Sequence, residues 1–193
     1  MLPVEHLSVA TALDTIYAEL AASGAAISAT NGAELNLAAE TLRDARRIFT
    51  LGAGRSGIAL NMTAMRLMHL GLTVHVVGEA TAPAIETGDV LLVASGSGTT
   101  TGIVSAARTA HEVGAKTVAI TADATSVIAD LADVAVIVPA ARKLDRDSTA
   151  SAQYAGSLFE QSVAIIGDAL FHALWKASGQ TADELWPRHS NLE

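Results

Sequence analysis

Short runs of valine, isoleucine and leucine alternate along this chain with longer segments in which apolar side chains recur every three or four residues. Short apolar runs are typical of buried parallel strands, and the longer spacing is typical of helices that bury one face. The pattern therefore predicts five strands, at Arg47–Leu51, Thr73–Val77, Val90–Ser95, Thr117–Thr121 and Val134–Val138. It also predicts helices between them, at Ser56–Leu70, Thr101–Val113 and Ser126–Leu131.

Helical spacing also extends beyond the region of strands at both ends. Two helices are predicted before the first strand, at His6–Ser23 and Ala33–Ala45, and a long helix is predicted over Ala150–Ser178. Alternating strands and helices favour a parallel sheet with helices on both faces, because right-handed crossovers place a helix over adjoining strands. We expect a single α/β domain, a three-layer αβα sandwich of flavodoxin-like type. Residues 1–45 would form the opening helices, 46–140 the sheet core, and 150–193 the long helix and a tail.

The long helix and the tail carry further expectations. The helix is longer than a small domain needs and has an apolar stripe, which indicates either contact between copies of the chain or a helix that simply lies across the sheet. The tail, Thr181–Glu193, is polar but contains Trp186-Pro187. A tryptophan in a tail predicts that the tail packs against the domain.

Composition narrows the classes of function. The 193 residues are 50% hydrophobic and include no cysteine, and 20 acidic against 12 basic side chains give a net charge of −8. Disulfides are therefore excluded, and the lack of a basic cluster argues against nucleic acid or an anionic membrane surface as a partner. No signal peptide or membrane span is predicted, so we expect a cytoplasmic protein.

The first predicted strand leads into Gly52–Gly57, the string GAGRSG, and then into a helix. This string satisfies G-x-G-x-x-G, and with Glu79 after the second strand it is compatible with a dinucleotide site. The underlying chemistry is more general, because glycines let the backbone approach an anion and helix N–H groups donate hydrogen bonds to any phosphate. Gly54, Arg55 and Ser56 are the candidate phosphate-binding residues of this loop.

The third predicted strand ends in Ser95–Thr100, the string SGSGTT. Its hydroxyl groups, on Ser95, Ser97, Thr99 and Thr100, can satisfy the oxygens of a phosphomonoester without a lysine clamp. A dinucleotide site needs no such loop, and ordinary turns seldom place two such loops at neighbouring strands. The pair of loops therefore favours a phosphomonoester, with a dinucleotide site and plain turns as alternatives.

The two loops in an α/β chain resemble the SIS (sugar isomerase) domain, a family that binds sugar phosphates. Four further strings resemble the 6-phospho-3-hexuloisomerases of that family: Ala64–Gly71, Thr81–Ile85 with Gly88-Asp89, Gly156–Gln161 and Arg188–Glu193. The resemblance implies that Ser56, Ser95, Ser97 and Thr100 bind the phosphate. Thr99 stands where the family usually has a glutamate. This departure from the family pattern removes one carboxylate near the expected phosphate.

The resemblance also implies a reaction. It would convert D-arabino-3-hexulose 6-phosphate to D-fructose 6-phosphate through a 2,3-enediol, in the ribulose monophosphate pathway, without cofactor or metal. It implies a homotetramer as well, with hexulose-phosphate synthase as the partner in metabolism. Two alternatives stay open: another SIS isomerase, such as one for arabinose 5-phosphate, and a non-catalytic sugar-phosphate sensor.

Such a reaction needs a base that reaches the C2–C3 edge of the sugar and donors for the enediolate. Glu160 is the candidate base, because it lies in the otherwise apolar stretch SLFEQSVAII, and the resemblance points to the same position. The alternative is a glutamate on the polar side of the helix. His69 and His189 are further catalytic candidates, although His69 could equally be a core histidine and His189 could serve a neighbouring subunit. Arg55 either pairs with the phosphate or is a solvated charge.

Overall fold

The computed structural model of the chain describes residues 8–140 and 151–192. Five strands form one sheet: β1 Ile48–Gly52, β2 Val74–Val76, β3 Val90–Ala94, β4 Lys116–Thr121 and β5 Val134–Ile137. All neighbouring strands are parallel, and their order is β2-β1-β3-β4-β5. This is the flavodoxin-like order, so the predicted fold class is confirmed.

Helices cover both faces of the sheet. They are α1 Val9–Thr30, α2 Gly32–Arg43, α3 Arg55–His69, α4 Thr101–Glu112, α5 Val127–Leu131, α6 Ser157–Ser178 and α7 Ala182–Leu185, followed by a 3-10 turn at Trp186–Arg188. One core lies between the sheet and α2, α3 and α6, and includes Leu42, Leu67 and Leu170. The other lies between the sheet and α4 and α5, and includes Phe49 and Ile103. Within the described residues no helix combines the length and apolarity needed to cross a membrane.

Two helix boundaries, the end of α1 and the start of α6, differ from the prediction by seven residues. The opening helix continues to Thr30, because its second half is rich in small residues that pack on α6, where the buried hydroxyls of Ser23 and Ser162 lie 3.3 Å apart. Small residues give no apolar periodicity, so the sequence pattern missed them. The predicted starts of the first and the long helix, His6 and Ala150, lie outside the described residues.

The long helix begins at Ser157 rather than at Ala150 because its preceding segment is held in another conformation. The carboxylate of Glu19 on α1 accepts hydrogen bonds from Ser151 Oγ at 2.7 Å, from the Ala152 N–H at 2.6 Å and from Gln153 Nε2 at 3.0 Å. Burial alone would raise the pKa of Glu19, but these hydrogen bonds lower it overall. This contact anchors the segment that leads into α6.

An ion cluster closes the end of the sheet where the strands begin. Asp89, which directly precedes β3, has a fully buried side chain. Arg47 donates to both of its carboxylate oxygens, at 3.1 and 2.6 Å, and Arg46 donates to Oδ1 at 3.1 Å. A second donor of Arg46, Nη2, reaches Oδ2 at 3.4 Å, and the N–H of Glu86 adds a fifth hydrogen bond at 2.8 Å. The cluster ties the start of β1 to the start of β3, at the opposite end of the sheet from the two loops.

The tail packs against the carboxyl end of α3. Leu185 is buried, and Arg188 Nη1 donates a hydrogen bond to the carbonyl oxygen of His69 at 3.1 Å. The ring of His189 stacks on the ring of His69, with centroids 3.9 Å apart. Trp186 itself is 70% exposed, so the tail is held by Leu185, Arg188 and His189 rather than by the tryptophan that suggested its docking.

Candidate active site

The loop after β1 turns sharply into α3. Gly54, the residue before the helix, has a φ of 59°, a conformation that favours glycine. A Cβ on Gly57 would lie 2.5 Å from the carbonyl oxygen of Gly52, so only a glycine allows the first turn of α3 to approach the end of β1 so closely. Ser56 is buried in that first turn. The string GAGRSG thus brings a helix amino terminus directly to the end of a strand.

The loop after β3 is ordered by its own hydroxyl groups. Ser95 is buried, and its Oγ lies 3.1 Å from Thr100 Oγ1. The Oγ of Ser97 accepts hydrogen bonds from the N–H and the hydroxyl of Thr99, at 3.3 and 3.1 Å. Gly98 has a φ of 61°, and a Cβ there would lie 2.1 Å from Ser126 Oγ. The hydroxyls are therefore held at the amino end of α4.

A cavity of about 80 Å³ lies between the two loops and the start of α6. Its lining residues are Ala53, Ser56, Ala94, Ser95, Gly96, Ser97, Thr100, Ile103, Gly156, Phe159 and Glu160. Three helix amino termini meet there, those of α3, α4 and α6. Each carries unpaired N–H groups and the positive end of a helix dipole, so the cavity attracts an anion in a protein of net charge −8.

Glu160 lies in the first turn of α6 and faces this cavity. Its side chain is 12% exposed, and Arg55 Nε lies 2.9 Å from its Oε2. The arginine side chain is 62% exposed. The pair places a carboxylate, oriented by a guanidinium, beside the anion-binding loops.

The predicted site residues separate into three groups. Ser56, Ser95, Ser97, Thr100 and Glu160 line the cavity together. Gly54, Arg55 and Thr99 do not line it: Gly54 shapes the first loop, Arg55 pairs with Glu160, and Thr99 bonds to Ser97. His69 and His189 lie at the other end of α3, about 20 Å from Ser56 by the rise of the helix. In one copy of the chain, neither histidine reaches Glu160.

The His69 ring is buried and has an unusual environment. Its Nδ1 atom has no hydrogen-bond partner among the described residues. Burial, His189 and Arg66 together lower the pKa of His69, so its neutral form is favoured near neutral pH. A neutral imidazole with a free nitrogen is chemically equipped for proton transfer, although it lies far from the cavity of its own chain.

Several cavity residues were not predicted from the sequence. Phe159 lines the cavity, and its ring packs closely on Gly96. A Cβ at position 96 would lie 3.2 Å from the ring of Phe159. Gly156 and Ile103 complete the wall. Only a tertiary contact brings these residues to the loops; for Phe159, its place directly before Glu160 was the available signal.

The dinucleotide site, an alternative from the sequence, has no support in the geometry. Glu79, the acid of a possible dinucleotide site, is exposed and lines a separate, largely apolar cavity with Phe49 and Pro83. No group of three or more histidine and carboxylate side chains within residues 8–140 and 151–192 could hold a metal ion.

Comparisons with known proteins agree with this geometry. The SIS domain family matches residues 41–165. The chain is 57% identical to the 3-hexulose-6-phosphate isomerase of Mycobacterium gastri, over 76% of this chain and 74% of that protein. It is 35% identical to the Bacillus subtilis (strain 168) protein of the same name, over 83% of this chain and 87% of that one.

A solved structure extends the likeness to three dimensions. It is the hypothetical protein MJ1247 from Methanococcus jannaschii, for which a molecular function of 3-hexulose-6-phosphate isomerase was inferred. It matches with a TM-score of 0.79 and 29% identity, over 94% of this chain and 99% of that one. The chain therefore belongs to the SIS domain family and, within it, to the 3-hexulose-6-phosphate isomerases.

Proposed function

We propose that this protein isomerises D-arabino-3-hexulose 6-phosphate to D-fructose 6-phosphate through a 2,3-enediol. One observation carries the proposal: three helix amino termini and a hydroxyl-rich loop form an anion site, and among the residues that the structure describes a single carboxylate, Glu160, lines it. The substrate in the names of the relatives carries a phosphate at one end and, near the other end, the proton that the reaction moves. The loops would supply hydrogen-bond donors for the phosphate, and Glu160 would supply the base for the proton.

The phosphate would be bound by neutral donors. Ser56 lies at the start of α3, and Ser95, Ser97 and Thr100 lead into α4, so all four residues line the same cavity. Gly54 has no side chain, so the backbone of the first loop can approach the phosphate closely. A cavity of about 80 Å³ has room for several water molecules, which is enough for a phosphate group while the sugar extends towards Glu160.

Glu160 would act as the base. It takes the C2 proton of the 3-ketose, and the electron pair left at C2 forms the C2–C3 double bond as the C3 carbonyl becomes an enediolate oxygen. After a proton moves between the two oxygens, Glu160 returns its proton to C3 and the carbonyl re-forms at C2. Arg55, at 2.9 Å from the carboxylate, orients Glu160 and is placed to stabilise the enediolate.

Proton exchange in D₂O tests the reaction. We expect the purified protein, incubated with fructose 6-phosphate without added metal or cofactor, to exchange the C3 proton for deuterium and to form a 3-ketose, both visible by proton NMR. Exchange at C1 alone would indicate an isomerase that forms aldoses. Saturable binding of the sugar phosphate without any exchange would indicate a sensor and contradict the proposal.

The second loop can be tested by binding alone. We expect Ser97→Ala to weaken the binding of fructose 6-phosphate about 5- to 10-fold, because one neutral hydrogen bond contributes about 1 kcal/mol. Isothermal titration calorimetry measures the change. Ser105→Ala, an exposed serine on α4, is the matched control and should bind like the wild type. Equal affinities for all three proteins would exclude Ser97 from the phosphate site.

The wider setting is also a proposal. The family resemblance supports a cytoplasmic homo-oligomer, a tetramer, that folds as a single domain and receives its substrate from hexulose-phosphate synthase. Because His69 and His189 lie far from Glu160 of the same chain, they could act in catalysis only across an interface between copies.

A further inference from the structure

The first turn of α6 supplies one wall of the cavity, and the segment directly before it decides where that turn lies. Gly156, Phe159 and Glu160 line the cavity, and α6 begins at Ser157. Among the described residues, Ala155 is the only one other than glycine with a positive φ, 50°. Such a conformation is unfavourable for alanine and persists only where surrounding contacts impose it. The segment is therefore held in place from outside.

The contact that holds the segment comes from α1. Both carboxylate oxygens of Glu19 accept hydrogen bonds from it: Oε2 from the Ser151 hydroxyl and Gln153 Nε2, and Oε1 from the Ala152 N–H. An ionised carboxylate has acceptors only, so all three donors depend on its charge. Because α1 also packs directly on α6, the helix that carries Glu19 is fixed relative to the helix that carries the base.

A second link carries this contact to the residue after Glu160. Because the Glu19 carboxylate can only accept, Gln153 must turn its NH2 group towards it and its oxygen away. That oxygen accepts a hydrogen bond from Gln161 Nε2 at 2.9 Å. The other end of the Gln161 amide, Oε1, is buried and has no partner among the described residues, which indicates that its orientation is imposed. The charge of Glu19 thus orients both amides, and we call these three side chains the Glu19 relay.

Glu160 lies between the two points where this relay meets α6. On one side, its N–H donates to the carbonyl oxygen of Gly156 at 3.0 Å, at the end of the segment that Glu19 anchors. On the other side, Gln161 is the next residue. The Arg55 side chain that pairs with the Glu160 carboxylate is 62% exposed, so by itself it constrains the base weakly. Glu19 is not among the described residues that line the cavity, so it acts on the base from behind.

We propose that Glu19 is a positioning residue: through Gln153 and Gln161, its carboxylate fixes the first turn of α6 and thereby holds the Glu160 carboxylate at the cavity. The effect on turnover rests on the proposed isomerase, whereas the effect on the turn of α6 does not. A displacement of a catalytic group by about 1 Å can cost about 10²-fold in rate, so a side chain that does not touch the substrate can control turnover.

Turnover and affinity should separate in Glu19→Gln. Glutamine has a similar volume, but its single oxygen cannot replace two acceptor atoms, and its NH2 group would face other donors. We expect kcat to fall about 10- to 100-fold, while the affinity for fructose 6-phosphate changes less than about threefold, because the loops after β1 and β3 are untouched. Asp14→Asn, an exposed acid on the same helix, is the control and should match the wild type. An unchanged kcat, or a loss of affinity as large as the loss of kcat, would overturn the proposal.

A second variant breaks the relay in its middle. Gln153→Met has a side chain of similar length that cannot donate to the carboxylate, and it leaves Ser151 and Ala152 bound to Glu19. It therefore keeps the anchor of the segment even if Glu19→Gln does not fold. We expect kcat to fall about fivefold or more, and the double variant to be no slower than Glu19→Gln, because the relay is already broken. Losses that multiply would show that the two residues act independently and would overturn the relay.

Fluorine NMR tests the position of the turn without reference to activity. The chain has three phenylalanines, so protein labelled with 4-fluorophenylalanine gives three signals, each assigned by a leucine variant. Phe159 lies in the first turn of α6, whereas Phe49 packs in the core on the other face of the sheet. We expect Glu19→Gln and Gln153→Met to shift or broaden the Phe159 signal and to leave that of Phe49 in place. An unmoved Phe159 signal would contradict the proposal. A wild type without isomerase activity would contradict the proposed function, and the fluorine spectra would still decide whether Glu19 fixes the turn.

Discussion

Glu160→Gln is expected to reduce turnover by about 10²- to 10⁴-fold, because an amide cannot accept the proton that the isomerisation moves. Binding of fructose 6-phosphate should change only a few-fold. Glutamine keeps the volume of the side chain, its oxygen can still accept from Arg55 Nε, and the loops that bind the phosphate are untouched. Coupled-assay kinetics give the rate, and calorimetry gives the affinity.

The comparison protein for this experiment is Glu112→Gln. Glu112 is an exposed glutamate at the carboxyl end of α4, far from the amino end that lines the cavity, and its substitution should leave rate and affinity unchanged. A variant that binds the sugar phosphate but has lost turnover also excludes a pure sensor. Turnover of Glu160→Gln within about threefold of the wild type would remove Glu160 as the base.

The sheet could be predicted from the sequence almost to the residue. Each strand is a short apolar run, and β1, for example, is shifted by one residue from its predicted bounds. Buried parallel strands must be apolar on both faces, so their pattern depends little on the neighbours they pack against. Helix limits depend more on tertiary contacts, which is why α1 extends over a small-residue segment and α6 starts late.

The candidate site could be predicted from the sequence where neighbouring residues form it. The two loops join a strand to a helix with glycines and hydroxyls adjacent in sequence, and Ser56, Ser95, Ser97 and Thr100 do line one cavity. The contact of Arg55 with Glu160 was not predictable, because no periodicity links positions so far apart in the chain. The stacking of His189 on His69 is a tertiary contact of the same kind, and both residues lie away from the cavity of their own chain.

The largest loss of stability is expected for Asp89→Asn. Arg46 and Arg47 are adjacent in the sequence, and both converge on a carboxylate whose side chain is fully buried. The amide cannot balance two guanidinium groups, and Arg47 is itself mostly buried. Breaking a buried pair of this kind costs about 3–5 kcal/mol, a large part of the stability of a single domain. Urea unfolding followed by circular dichroism measures the difference.

Glu86→Gln provides the control, because Glu86 belongs to the same cluster but its side chain is 60% exposed. The Glu86→Gln substitution should lower the free energy of unfolding by less than about 1 kcal/mol. If the two variants are equally stable, burial is not what makes the contact of Asp89 with the arginines strong.

The same cluster predicts how stability depends on pH. Burial alone would raise the pKa of Asp89, but hydrogen bonds from Arg47, Arg46 and the Glu86 N–H outweigh it and lower the pKa from 3.8 to about 2. The folded protein thus stabilises the ionised form of Asp89 more than the unfolded chain does. Its contribution, about 2 kcal/mol, is complete above about pH 4 and is lost as the pH falls towards 2. The free energy of unfolding of the wild type should therefore fall more steeply between pH 4 and pH 2 than that of Asp89→Asn. If the two curves of unfolding free energy against pH run parallel, other carboxylates control acid unfolding.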